Sequence, residues 1–372
     1  MTKTYARLTP LADSLPATVP FVGPETQERA RGRPFAARLG ANENGFGPSP
    51  MALSAMAEAA RDVWMYGDPE NFDLRMALAA HHGIAPENIM VGEGIDGLLG
   101  YLVRLLVGSG DVVVTSKGAY PTFNYHVAGF GGRIETVPYN ADHEDPVALV
   151  ETAREVGAKL VYIANPDNPM GTWHAAGTVQ RMIEAVPEGC LLVLDEAYVE
   201  FAPEGTAPDL APDDPRVVRM RTFSKAYGLA GARVGYAIGA RELITAFHKI
   251  RNHFGMCRIS QAGALAALHD QDHLRQTLDR VGAARRRIES IAQQNGLHPL
   301  PSATNFVAVD CGADGDFARA VLQALVQQDV FVRMPFSTPQ DRCIRVSTGR
   351  AEELDLFAAA LPRALERARS SR

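Results

Sequence analysis

The chain has 372 residues, 46% of them hydrophobic and 22% charged, with a formal net charge of −6 at neutral pH. This is ordinary globular usage with room for two domains, and it excludes a disordered or fibrous chain. With no basic block longer than "ARRRIES", the mild acidity leaves no electrostatic footprint for nucleic acid or an anionic membrane.

Residues 1–48 are rich in Pro and Gly ("LPATVPFVGPE", "NENGFGPSP") and have little periodicity, which predicts an extended arm packing on the small domain or on a partner subunit. The opening stretch "MTKTYARLTPLADSLP" has no apolar signal-type core, and no run of 18 apolar residues follows, so a cytoplasmic protein without a membrane span is expected. Residues 49–258 begin with the helical patterns "MALSAMAEAARDVW" and "NFDLRMALAAHHG". Short apolar runs then alternate with helix-length text: "NIMVG", "DVVVTS", "RIETVPY", "KLVYIAN", "CLLVLDEAY", "VVRMRTFS" and "RVGYAIG". Runs apolar throughout suit strands buried on both faces, so this region predicts a large α/β domain with a mostly parallel, doubly wound sheet. Residues 259–372 change pattern. A long amphipathic helix ("QAGALAALHDQDHLRQTLDRVGAARRRIESIAQQNG") leads to the short strands "NFVAVD", "VFVRM" and "CIRVSTG" and a last helix, predicting a smaller α+β domain.

Cys190, Cys257, Cys311 and Cys343 are widely spaced without a CxxC and are read as reduced. His269 and His273 have the i, i+4 spacing of a helical metal pair, but no third ligand accompanies them, and no metal is expected. "GEGIDG", from Gly92 to Gly97, matches a dinucleotide fingerprint, yet the next strand ends in Thr115, Ser116 and Lys117 where an acid should hold the ribose. What survives is a helix start with exposed backbone N–H groups, which favours a phosphate.

Several segments share one chemistry. "ANPDNPMG" places Asn168 in a turn after a buried strand; "LVLDEAY" puts Asp195 at the end of an apolar strand, where a carboxylate needs a partner; "TFSKAYGLAGAR" projects Lys225 from a third strand. A buried Asp, a Lys and a phosphate site at one sheet edge fit pyridoxal 5′-phosphate. From "LGANENGFGPSP" through "GEGIDGLL", "AYPTFNYH", "NPDNPMG", "DEAYVEF" and "TFSKAYGLAGARVGY" to "CIRVSTG", the chain resembles the fold-type I pyridoxal-phosphate aminotransferases of class I/II, and within them the group containing histidinol-phosphate aminotransferases.

The resemblance implies a seven-stranded, mostly parallel sheet between helices plus a smaller α+β domain. It implies that Lys225 carries the cofactor and moves the substrate α-proton, and that Asp195 pairs with the pyridine nitrogen. Thr222, Ser224 and Arg233 match phosphate ligands, as do Gly94, Ile95 and Asp96 at the helix start. Ile95 stands where many relatives have a hydroxyl, leaving its contact to the backbone. Tyr120 matches the aromatic that stacks on the ring, Asn168 and Tyr198 match the pair that bonds its phenolic oxygen, and Tyr66 matches a tyrosine reaching the phosphate of a neighbouring subunit, implying a homodimer with shared active sites. Arg345 matches the residue that grips the substrate carboxylate, and Asn42 and Phe21 match N-terminal residues near the substrate. Asn305 is either close to the substrate or a turn residue, and Arg333 either a ligand for a second anion or a surface arginine.

The implied reaction moves an amino group from an amino donor to a 2-oxo acid. Histidinol phosphate leads as donor, since "VPFVGPE" is similar to the arm of that subfamily, although Phe21 replaces a frequent Tyr and Gly45 a frequent Pro. An aromatic amino acid, received by Phe21, Phe46 and Tyr5, is the main alternative, and a phosphothreonine-type decarboxylase a third.

Overall fold

The computed structural model describes residues 7–17 and 22–370. Strands are taken from the expected apolar runs, and their side chains are buried on both faces in Ile89–Gly92, Val112–Ser116, Leu160–Ala164 and Leu191–Asp195. Seven strands form one sheet, in the order Ile89–Gly92, Gly235–Ile238, Val217–Thr222, Leu191–Asp195, Leu160–Ala164, Val112–Ser116, Arg133–Val137. Gly235–Ile238 is antiparallel to both of its neighbours, and the other pairings are parallel. Arg133–Val137, at the edge, is the one strand of the sheet left largely open to solvent. Helices cover both faces, starting and stopping where local chemistry dictates. Asp145, for example, accepts from the amides of Val147 and Ala148 to cap Pro146–Val156, which ends at Gly157 in the left-handed region.

The smaller unit is built on Phe306–Asp310, flanked antiparallel by Cys343–Ser347 and His298–Pro299, with helices Gly315–Gln327 and Ala351–Ser370 against it. The N-terminal segment is less extended than expected, since Pro24–Arg31 is a helix with Pro at its first turn and Gly32 as a left-handed cap. Ala37–Arg38 then adds as a parallel strand to Val330–Phe331, fastening the segment to the small unit. The helix expected after residue 260 is two helices, Arg258–His269 and Gln271–Gln294. Asp270 breaks the run and caps the second by accepting from the His273 amide. Ala264, Ala267, Leu268, Leu274 and Val281 pack into the large unit's core, while Ala284, Ile288 and Ile291 pack into the small unit's. The handover between cores therefore falls inside the second helix, further along than the 258/259 boundary suggested by the change of pattern.

Candidate active site

The carboxyl ends of five neighbouring or near-neighbouring parallel strands open onto one cavity of about 270 Å³. Its lining includes Asn42, Ile95, Asp96, Tyr120, Asn168, Asp195, Tyr198, Thr222, Ser224, Lys225, Arg233 and Arg345. Residues scattered over three hundred positions meet there because every one follows a strand end or, for Asn42 and Arg345, is delivered by the small unit and its attached N-terminal segment.

Asp195 is 5% exposed, and its two oxygens accept from the Tyr162 hydroxyl at 2.7 Å and the Ala197 amide at 2.9 Å. Burial pushes its acid up to about 6, against the pull of these two donors. Among the described residues the carboxylate thus has neutral donors but no cation bonded to it. Lys225 Nζ donates to the Asn42 carbonyl at 3.1 Å, and its amine is pushed down to about 8 by burial, helped by the charges of Arg345 and Arg233. A lysine in this state is a usable nucleophile and base near neutral pH.

Another part of the lining is a helix start. The helix Gly94–Leu106 starts there, with Gly94 at φ 76°, and a Cβ on Gly94 would sit 2.4 Å from the Arg233 guanidinium. A Cβ on Gly235 would meet the Gly94 carbonyl carbon and the Ile95 nitrogen at 2.8 Å, so both glycines are demanded by close approach. Arg233 adopts the left-handed region, at φ 53°, and donates to Ser224 Oγ at 3.2 Å. Asp96, beside this end, is bonded to His126 at 2.8 Å. The Thr222 hydroxyl donates to the Val234 carbonyl and accepts from the Ser224 amide, so it builds the turn that presents Ser224 and has no proton left for a phosphate.

A further group of lining residues is organised around Asn42, itself in the left-handed region. Its amide donates to the Tyr198 hydroxyl at 3.0 Å, its side-chain oxygen accepts from Ser347, and its carbonyl accepts from both Lys225 and Asn305. Asn305 is fully buried and does not line the cavity; it orients Asn42. Arg345 donates to Asn168 Oδ1 at 2.6 Å and lies over the Phe306 ring, while its Nε has no hydrogen-bond partner among the described residues. A half-buried guanidinium held by a neutral amide is suited to an anion.

Tyr66 and Arg333 fall elsewhere, like Asn305. Tyr66 is 77% exposed and packs against Phe254 with tilted rings whose centroids are 4.7 Å apart, outside the lining of this chain's own cavity. Arg333 lies outside the lining, its backbone bridged to that of Arg345 and its guanidinium bonded to the Val22 carbonyl. Phe21, like Tyr5, lies outside the described residues. Conversely, Tyr162 and Asn44 were missed. Tyr162 reads as strand core in "KLVYIAN", although a tyrosine in an aliphatic strand needs a partner for its hydroxyl. Asn44 donates to the carbonyls of Lys225 and Ala226 and so holds the lysine turn.

The family described as aminotransferase class I and II matches residues 37–361. A solved structure of histidinol-phosphate aminotransferase from Sinorhizobium meliloti in complex with pyridoxal-5′-phosphate is 55% identical, covers 99% of each chain and superposes with a TM-score of 0.95. The histidinol-phosphate aminotransferase of Roseiflexus castenholzii is 37% identical over 94% of this chain and 95% of its own length, and one from Mesorhizobium japonicum is 36% identical over 88% and 90%. With its strand-end cavity and this match over most of its length, the chain belongs to the aminotransferase class I and II family.

Proposed function

We propose that the chain is a pyridoxal-phosphate-dependent aminotransferase acting on histidinol phosphate and a 2-oxo acid. One observation carries this reading: an amine (Lys225), an acid without a bonded cation among the described residues (Asp195) and a candidate anion site (Ser224 and Arg233 beside the helix start at Gly94) meet at one cavity. The donor set fits a flat, phosphorylated pyridine aldehyde, with the phosphate at the helix start and the ring nitrogen at Asp195. When bound, that cofactor supplies an electron sink for the charge left by removing the substrate α-proton.

The chain's residues do the rest. Asp195, desolvated and fixed by Tyr162 and the Ala197 amide, holds a proton on the group it faces. Lys225 Nζ, without a bonded carboxylate among the described residues and kept less basic than usual, takes the α-proton and returns it. Tyr198 and Asn168 offer hydrogen bonds between Lys225 and Arg345, Tyr120 covers one side, and Arg345 pins the substrate carboxylate or its counterpart. The 55% identity to a histidinol-phosphate enzyme favours that donor over an aromatic amino acid.

The reading includes a homodimer in the cytoplasm. Trp64, Tyr66 and Phe254 form part of an exposed apolar face, and a second copy covering it would let Tyr66 reach the neighbouring cavity. A monomer in sedimentation at micromolar concentration would remove that part. The substrate is tested by assaying the protein, reconstituted with pyridoxal phosphate, for amino transfer to 2-oxoglutarate. Turnover with histidinol phosphate far above that with phenylalanine is expected; the reverse would assign the aromatic substrate, and neither would overturn the reading.

A further inference from the structure

Beneath the turn that carries Asn168 lie two carboxyl groups that the proposed chemistry does not use. Glu144 is 1% exposed and Asp167 2%. Asp167 Oδ1 accepts from the Tyr139 hydroxyl at 3.0 Å and Oδ2 from the Met170 amide at 2.9 Å. Glu144 Oε1 accepts from the Ala164 amide at 2.9 Å, while its Oε2 is buried without a bond of full hydrogen-bond geometry among the described residues and has the buried Ser116 hydroxyl as a neighbouring donor. Glu144 holds Ala164, Asp167 lies three residues further along the same turn, and the charge of Asp167 helps to raise the Glu144 acid, so the two carboxyls are neighbours. Two adjacent buried carboxylates cannot both stay ionised, and an orphaned oxygen facing another carboxyl is where a proton belongs.

We propose that Glu144 and Asp167 share one proton, placed on Glu144 Oε2 and donated to Asp167, and that this acid pair positions the 165–171 turn so that Asn168 can clamp Arg345. The clamp points are explicit. Glu144 ties down Ala164, the last residue of its strand, while Asp167 ties down Met170, and Asn168 between them meets Arg345 Nη1 at 2.6 Å. Further backbone bonds, Asp167 N to Thr172 O at 2.8 Å and Gly171 N to Asp167 O at 3.1 Å, close the turn around the pair. Burial raises both acids, Asp167 to about 7, and Arg345 is the cation whose charge reaches Asp167. The other titratable groups facing the pair are Tyr139 and, through the Glu144 carbonyl, His174; Arg342 is engaged nearby with Asp142 and Asp310. Loss of the shared proton places a second negative charge beneath Arg345, drawing the guanidinium away from an incoming carboxylate.

This inference rests on the reading of Arg345 as the carboxylate grip, and its test separates the two. The holoenzyme carrying ¹³C-enriched glutamate carboxyls should show, beside the band of the buried Glu200, whose acid is raised to about 7, a second isotope-shifted protonated-acid C=O component in the infrared at neutral pH that is lost from both Glu144→Gln and Asp167→Asn. Glutarate, an unreactive dicarboxylate, should bind roughly tenfold more weakly at alkaline than at neutral pH beyond any change seen in Asp167→Asn. In that variant the amide donates to an ionised Glu144, Tyr139 reverses its hydroxyl, and the turn persists, so KM for the 2-oxo acid should stay near the wild-type value. Asp167→Ala should raise that KM roughly tenfold with a smaller change in kcat. Absence of the second infrared component, its survival in Glu144→Gln, or equal damage from Asp167→Asn and Asp167→Ala would overturn the proposal. The component present with no KM or glutarate effect would instead break the link to Arg345.

Discussion

Asp195 and Glu196 are consecutive acids at the end of one strand, and their surroundings are opposite. Glu196 accepts from Arg219 at 2.5 and 3.0 Å and from Arg221 at 2.8 Å, and Arg219 is further tied to the carbonyls of Pro208 and Asp209. Burial alone would raise its acid, but the two guanidiniums overcome that and hold it below the ordinary carboxylate range. Asp195 has only a phenol and an amide, and its acid rises. A charge network that satisfies itself stabilises a fold; a buried charge left with neutral donors is waiting for a ligand. Because side chains alternate along a strand, one step of sequence separates the two roles.

That contrast is broken most sharply at Lys225. Lys225→Ala should lower amino transfer at least about a thousandfold, the range of a lost acid–base group, while leaving thermal stability unchanged or raised, since a desolvated amine is removed. Substantial turnover by the purified variant would mean that the cavity's charges are structural after all. Arg219→Ala should do the reverse. Stranding Glu196 with one guanidinium should cost roughly 3–5 kcal/mol in urea unfolding, while the specific activity of the folded fraction changes little. A stable but inactive Arg219→Ala would move this network into the site.

The same contrast explains what could be read from the sequence. The seven strands were legible because each is a short apolar run bounded by turn residues, and strand ends in a parallel sheet point their following residues at one edge. Lys225, Asp195 and Arg345 therefore stood out as polar groups in apolar text. Tyr162 and Glu144 did not, because their meaning depends on what lies across the sheet: a strand tyrosine becomes notable only when its hydroxyl meets Asp195, and Glu144 only when its carboxyl meets Asp167. The Asp270 break was hidden for a different reason. Its helical periodicity runs through "ALHDQDHL" unchanged, and only the cap geometry shows one helix ending and another beginning. Thr222 lines the cavity, as the resemblance implies, and its hydroxyl also donates to Val234, a partner twelve residues away that the spacing does not announce.

The smallest effect is also the most direct measure of the vacant partnership at Asp195. In the cofactor-free protein the folded-state acid lies at about 6 and the ordinary value at 3.8, so between those pH values the folded protein binds more protons than the unfolded chain. Stability contributed by this group is therefore present at low pH and is lost as pH rises through the window, with a full penalty on the order of 3 kcal/mol remaining above it. Glu196 has the opposite sign: its folded-state acid is depressed, so its contribution is present above the unfolded value and is lost as pH falls. Asp195→Asn should consequently be more stable than the parent near pH 7 and no more stable near pH 4, by urea titration of both cofactor-free proteins. Loading both with pyridoxal phosphate should reverse the ranking at pH 7, because only the carboxylate can pair with a protonated ring nitrogen. An Asn variant no more stable at pH 7 than at pH 4 would show that Asp195 is already compensated within the chain, and the distinction from Glu196 would fail.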